Sequence, residues 1–486
     1  MRRHPWQILW LLIGCSCIVL ITPLKKELKK QQVEDDLSFV GEEGTPTELS
    51  IAIGMGLFRS IALDILWMRA SSLQQEGRFY EIVQLYDLIG KLQPHNARVW
   101  SYSAWNMAYN ISVECPPGEE RWRWVRHGLE RLISHGLKYN PYNLELYKQT
   151  AWIYSHKMGK NLDDAHLYYK TKLCELVMEV TESRHFSAIQ TLAALHTPSG
   201  NSLTKSKRIK DRLKSELGMD LELMAELEED TYLGPIDWRL AQSQGIYWAR
   251  MGLKNNRFGQ SIIDLERLVY QAQQVLLRQG NLVYRPPTSE VPASLTLWPD
   301  YRQAQPMQRM FERQVKLFEE KGNAIGVLSA YRAFIDEAVN LCILSGQEKL
   351  AQDLVDRVLS QRPDFLPKSN ALELMRLQLN EQLQSMGGDE FSSLVSGLLL
   401  RSFWWKGNGD LKQSSALRRH AQRLWILNAS KNSTAERSSN RSLKEIETNV
   451  LLGIFQGQWF HPQALKKLNT SLSPEQQNTL KQHLEN

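Results

Sequence analysis

The sequence predicts an all-α protein, an α-solenoid of antiparallel helix pairs preceded by one transmembrane helix. The stretches "EGRFYEIVQLYDLIGKLQPHN" (76–96) and "SGQEKLAQDLVDRVLSQRPDF" (345–365) each pass from a Gly to a Pro in seventeen steps, Gly77 to Pro94 and Gly346 to Pro363. In the first, Phe79, Ile82, Val83, Tyr86, Ile89 and Leu92 recur at spacings of three and four, which puts them on one helix face. The residues before Gly77 keep the same period through Leu63, Leu66, Trp67, Ala70 and Leu73. Two short amphipathic helices joined at a Gly cannot bury both apolar faces alone. They must stack on neighbours, which is the physical basis of a helical array.

The composition is that of a folded protein, 42% hydrophobic and 23% charged over 486 residues, a length that calls for several domains or one elongated array. A net charge of +6 is too mild for a dedicated nucleic-acid binder. The five cysteines form no disulfide framework: Cys15 and Cys17 sit in an apolar run, and Cys115, Cys174 and Cys342 are scattered.

Residues 1–30 read as a membrane anchor with its flanks. From Trp6 to Leu24 there is no formal charge, between Arg2 and Arg3 on one side and Lys25, Lys26, Lys29 and Lys30 on the other. At ~1.5 Å per residue this run is about as long as the hydrocarbon core is thick. Trp6 and Trp10 suit the headgroup zone, and Leu24 closes the run. A cleaved signal peptide would need a small-x-small site that "ITPLKK" does not offer. Leu12-Ile13-Gly14-Cys15 is similar to a lipobox, but cleavage before Cys15 would leave a greasy mature end. An uncleaved single-pass anchor fits best. Both flanks are cationic, so the side holding the soluble body stays open.

The array is expected over 45–170. It opens with a capping box, Thr45 with Glu48 three residues on and Pro46 at the first helical position. The run Leu49–Trp67 is apolar, but Arg59 and Asp64 make a buried first helix a better reading than a second span. The first unit covers 63–96. A second, 97–143, carries Trp100, Ala104 and Pro141 around an inserted loop, "SVECPPGEER". A third, 144–178, carries Tyr147, Ala151, Tyr154 and Ala165. A fourth lies near 332–365, with Gly346, Ala351 and Pro363.

In these residues the chain resembles the tetratricopeptide repeat, a 34-residue helix–turn–helix. Ala70 falls at the small eighth position, Gly77 at the turn glycine, Phe79 at the aromatic place and Pro94 at the closing proline, while Ile82 departs from the preferred Ala. The resemblance implies a concave face lined by the first helix of each unit, here Trp67, then Trp105, Ala108 and Tyr109, then Lys148, Trp152 and His156. It implies protein binding and scaffolding, with no cofactor. The carboxylate clamp of chaperone-binding members is absent, because its places hold Trp67, Ser71, Tyr102, Glu145 and Gln149.

Beyond the array, 171–285 reads as divergent helices, with 237–253 and 261–280 a candidate pair. Pro286, Pro287, Pro292, Pro299 and Pro306 mark 286–306 as a Pro-rich connection. A second helical array is expected over 307–386. C-terminal helices follow over 387–486, interrupted by a polar loop at 428–442.

No catalytic motif is present: there is no phosphate-binding Gly-rich loop, zinc-protease His pair, paired CxxC or nucleophile elbow. His156, His166, Asp163 and Asp164 straddle a turn, so surface residues are the better reading than a metal site, and Cys174 reads as core. Lys205, Lys207, Arg208, Lys210, Arg212 and Lys214 form the densest basic patch, a solvated face or an anionic-lipid contact. The leading expectation is therefore a membrane-anchored adaptor that assembles a membrane or envelope complex, not an enzyme. Its partners are proteins, with no nucleic acid or small-molecule substrate. The alternatives are an envelope or glycan-handling enzyme with its site in 171–330, and a peripheral lipid binder acting through 205–214.

Overall fold

The computed structural model describes residues 58–196, 200–287, 293–320, 322, 324–366, 371–386, 388–429, 442–457, 460 and 462–484. These are helical apart from turns, connections and one two-stranded antiparallel sheet, so the chain is all-α in class. No helix among the described residues is long and apolar enough to cross a membrane. The expected anchor with Trp6, Trp10 and Leu24, and the capping box at Thr45, lie outside the described residues. The chain divides into two compact units, Met1–Gln93 and Pro94–Asn486.

In the first unit α1 (Phe58–Gln75) and α2 (Phe79–Leu92) form a hairpin. Leu63, Ala70 and Leu73 of α1 and Ile82, Tyr86 and Ile89 of α2 are buried. Gly77 turns the chain at φ +71°, in the left-handed region that disfavours a side chain. The Arg78 amide then reaches back to the Leu73 carbonyl at 2.9 Å. α1 is less buried than expected: Ile61, Ile65 and Met68, spaced along one face, are 56–65% exposed, and Asp64 is exposed with them.

The second unit opens with two more hairpins. α3 (97–114) and α4 (119–139) each contain a π-helical stretch, Asn106–Ile111 and Leu132–Gly136. α5 (144–158) ends in a third, Ile153–Met158, and is followed by α6 (His166–Thr181). The helices α7 (Ala188–Leu195), α8 (201–217) and α9 (Leu221–Glu229) come next. Then α10 (Ala241–Lys254) pairs with α11 (Ile263–Gln279) and also packs directly on α5.

The Pro-rich stretch is not simply a connection. β1 (Asn281–Arg285) and β2 (Ser294–Trp298) pair in register, Asn281 opposite Trp298 and Arg285 opposite Ser294. Pro286 and Pro299 lie just outside the strands, where no ladder donor is needed. Pro306 lies in the first turn of α12 (Ala304–Glu320), where a missing N–H is harmless. Three consecutive β-branched or apolar residues at the centre of each strand, Leu282–Tyr284 and Leu295–Leu297, favour extended pairing over helix.

α13 (Ile325–Leu344) and α14 (Glu348–Gln361) repeat the geometry of the first hairpin. Gly346 has φ +71°, and the Gln347 amide reaches the Cys342 carbonyl at 2.8 Å, the same five-residue reach as Arg78 to Leu73. α15 (Ala371–Ser385), α16 (Gly388–Asn408), α17 (Leu411–Ala429), α18 (Leu443–Gln456), α19 (Pro462–Ser471) and α20 (Pro474–Leu484) complete the unit. α16 is its hub, packed on α17, α18 and α19. Most of the expected polar loop lies outside the described residues.

Two apolar cores result within this unit. One runs from Trp100 to Leu282 and the other from Leu277 to Leu480, with α11 contributing to both.

Candidate functional site

Two similar corners set the register of α3 and α5. Pro94 and Pro141 are each followed two residues later by an Asn whose side chain caps the helix: Asn96 accepts from the Arg98 amide and Asn143 from the Glu145 amide. Six residues after each Pro an aromatic side chain satisfies its carbonyl. The Trp100 indole N–H donates to the Pro94 oxygen and the Tyr147 hydroxyl to the Pro141 oxygen, both at 2.8 Å. With α3 locked this way, Ala104 and Ala108 face α4 in full burial, and an added Cβ on Gly128 would lie 2.8 Å from the Ala104 carbonyl. One residue further round the helix, Trp105 points elsewhere and is 39% exposed.

From there a chain of ring contacts crosses from α3 to α5. Tyr102 and Trp105 lie 6.3 Å apart between centroids, and Trp105 stacks on Tyr109 at 6.2 Å. Tyr109 meets His156 at 5.9 Å, with its hydroxyl 3.2 Å from Nδ1. His156 stacks flat on Trp152 at 4.3 Å and 13°. Tyr109 and His156 both fall in π-helical stretches, which displace side chains from the phase an α-helix would give them. Burial, then the nearby Lys160 and Lys157, lower the His156 pKa, so the ring in the ladder is neutral at pH 7. Burial likewise raises the Tyr109 hydroxyl.

The ladder rests on a buried charge network. Lys157 lies 5.5 Å from the Tyr109 ring and 5.9 Å from the Tyr169 ring, and it ion-pairs with Asp163. Asp163 also accepts from Arg121 at 3.1 Å and from the Ala165 amide at 2.8 Å. Burial works to raise its carboxyl, but the bonds from Lys157 and Ala165 prevail and hold it at about 2. Beside Trp105 an open groove of ≈590 Å³ is lined by Arg98, Tyr102, Glu145 and Gln149 among others. The Gln149 Nε2 is buried there without a protein partner.

Of the residues expected to line a groove, Trp105, Tyr109, Trp152 and His156 thus form one continuous surface. Trp67 belongs to the first unit, where it lies 5.7 Å from Tyr86. Lys148 is not a free cation at the groove, because Glu145 at 2.8 Å and Asp264 at 3.2 Å neutralise it. The basic patch is also largely compensated. Arg208 is held bidentately by Glu182, Lys210 by Glu222, and Arg212 by Glu216 and the Glu179 carbonyl. Lys205, Lys207 and Lys214 make no ion pair among the described residues.

The two histidines and two aspartates of the third hairpin do not converge on one point. His156 joins the ladder, His166 meets Lys170 at 3.2 Å, and Asp163 and Asp164 bind Arg121. Among the described residues no three metal-ligating side chains converge. Cys174 and Cys342 are buried in the two cores, and that burial pushes each thiol up to about 12, far from a reactive thiolate. The Pro-x-Asn corners and the Arg121–Asp163–Lys157 network escape periodicity arguments. The first has a signal, the repeated "PHN" and "PYN"; the second joins residues 42 apart and has none.

No family model matches the chain, and no curated protein matches it.

Proposed function

We propose that this chain is a membrane-tethered adaptor of tetratricopeptide-repeat type, whose α-solenoid binds an extended segment of a partner protein along α3 and α5. The observation that carries the reading is the ladder from Tyr102 through Trp105, Tyr109 and His156 to Trp152, which passes between the first helices of two successive hairpins. Rigid amphipathic rings supply contact area at small entropic loss, which is why they dominate protein interfaces. The unpartnered Gln149 amide suits a backbone carbonyl of the bound segment. Tyr102, Glu145 and Gln149, which line the groove, stand at three of the places where the chaperone-binding relatives of this repeat carry their clamp. The chemistry there is different, so we read the client segment as apolar or aromatic rather than carboxylate-terminated. The run Trp6–Leu24 supplies the tether.

The rival sites have weaker support. In the enzyme reading, the most densely bonded carboxylate among the described residues of 171–330 is Glu228. It accepts from Ser187, the Ala188 and Ile189 amides and Trp238, which is the work of a helix cap. In the lipid reading, three of the six cations already have glutamate partners.

The test uses the full chain with a photo-crosslinking residue in place of Ser101 in the groove. Adducts formed in the native membrane are compared between this protein and its W105A/W152A version, with helicity measured on both. Loss of adducts at unchanged helicity supports the groove; an unchanged adduct pattern overturns it.

A further inference from the structure

A separate cavity lies in the second unit, far along the chain from the ladder. It measures ≈430 Å³, within the range of small-molecule sites, and is walled by the end of β2, the turn into α12, the start of α14, and α16 and α17. We propose that it binds a small ring-bearing molecule with a carboxylate head, Arg401 taking the head and the tryptophans the ring.

The charge arrangement favours a carboxylate. Two arginines and one aspartate line the cavity. Asp300 is buried and already satisfied, since Arg302 grips it through Nε at 2.7 Å and Nη2 at 2.8 Å. Arg401 is left with neutral partners. Its Nη1 donates to the Tyr301 hydroxyl at 3.1 Å and to Ser345 Oγ at 3.4 Å, and its guanidinium lies 5.7 Å from the Tyr301 ring. Among the described residues it meets no carboxylate. A half-buried guanidinium with spare donors is matched to a planar bidentate anion, and leaving it unpaired is costly.

The body of the ligand follows from the walls. Trp404 and Trp405 stand edge to face at 4.6 Å, and Trp298 of β2 also lines the cavity. Their flat faces suit an aromatic ring or the apolar face of a sugar. The Trp298 Nε1 is buried and has no protein partner, and the Gln305, Gln347 and Gln413 amides add neutral donors and acceptors around the rim. With one uncompensated cation and neutral polar groups elsewhere, a monoanion fits better than a phosphate dianion. This site shares no residue with the ladder, so the two readings stand or fall separately.

Two ring-bearing acids distinguish the sources of such a ligand: indole-3-acetate for an aromatic acid and D-glucuronate for an acidic sugar. Their neutral counterparts are indole-3-acetamide and D-glucose. Ligand-observed NMR titration of the full chain in detergent reads each affinity, with dissociation constants of about 1 mM expected for probes of this size. At least one acid should bind saturably, at least about tenfold more tightly than its neutral counterpart. R401Q should erase that preference while R401K retains part of it. The proposal is overturned if neither acid saturates by about 10 mM, if acid and neutral probe bind equally, or if R401Q leaves the preference intact. The comparison of acid with neutral probe on the unaltered protein needs no variant, so a misfolded R401Q would not shelter the idea.

Discussion

Lys170 is buried on α6 and meets no carboxylate among the described residues. Its ammonium donates to Asn161 Oδ1 at 2.7 Å and approaches His166 Nδ1 at 3.2 Å, and burial lowers its pKa to about 8. In the unfolded chain a lysine titrates near ~10.4. Between these values the unfolded state holds more protons, so stability rises with pH from about 8 to ~10.4, and the deficit is complete below 8. K170M should therefore stabilise the protein at pH 7, on the order of 2 kcal/mol, and flatten that rise. Urea unfolding at pH 7 and pH 10 on both proteins checks it; a less stable K170M at pH 7 refutes the account. Asp163 has the opposite sign. Its carboxyl is held at about 2 against an unfolded value near ~3.9, so its contribution is present above pH ~4 and lost as pH falls toward 2. D163A leaves Lys157 and Arg121 without it and should cost about 3–5 kcal/mol at neutral pH. A loss below 1 kcal/mol in the same unfolding assay would show that solvent reaches the network.

At the scale of elements, hairpins depend on how closely their helices approach. Gly128 on α4 faces the Ala104 carbonyl so tightly that a Cβ would stand 2.8 Å from it, and backbone cannot swing aside as a flexible side chain can. G128V should push α3 from α4 and destabilise by about 1–3 kcal/mol, seen as a lower melting temperature and altered near-ultraviolet dichroism from Trp105 and Trp100. A variant that melts like the parent would mean the helices separate freely. The turns at Gly77 and Gly346 were legible because a left-handed residue leaves a compositional mark, and the apolar period of α2 and α14 follows from local geometry. Trp105, Tyr109, Trp152 and His156 were legible through the groove positions that the repeat resemblance implies, which also include Ala108, a residue fully buried against α4. The partners of Lys148 were half hidden. Glu145 is three residues away and visible, whereas Asp264 lies 116 positions on and is brought in by the packing of α11 on α5. The β-hairpin was obscured by its own prolines, which read as breakers until both strands are seen to end beside them.

For the molecule as a whole, the second unit carries two apolar cores, and this bears on how it comes apart. The first gathers Trp100 to Leu282 and the second Leu277 to Leu480, with α11 lending Leu276 to one and Leu277 to the other. Such cores open as separate cooperative segments when few buried contacts bridge them. Here the bridges are α11 and the loop before α10, whose Tyr232 packs on the second core and whose Thr231 and Pro235 carbonyls accept from Arg309 and Gln303. Phe334 lies at the centre of the second core, fully buried and 5.2 Å from Phe311. F334A removes that ring and should cost about 3–5 kcal/mol locally. Hydrogen exchange followed by mass spectrometry should then show faster exchange across 304–484, while peptides from 97–275 keep the protection of the parent protein. Protection lost equally in both would make the unit a single cooperative block. A preserved first core would also show that the proposed partner surface at Trp105 and the proposed ligand cavity at Arg401 lie in segments that open independently, so occupying one need not rigidify the other.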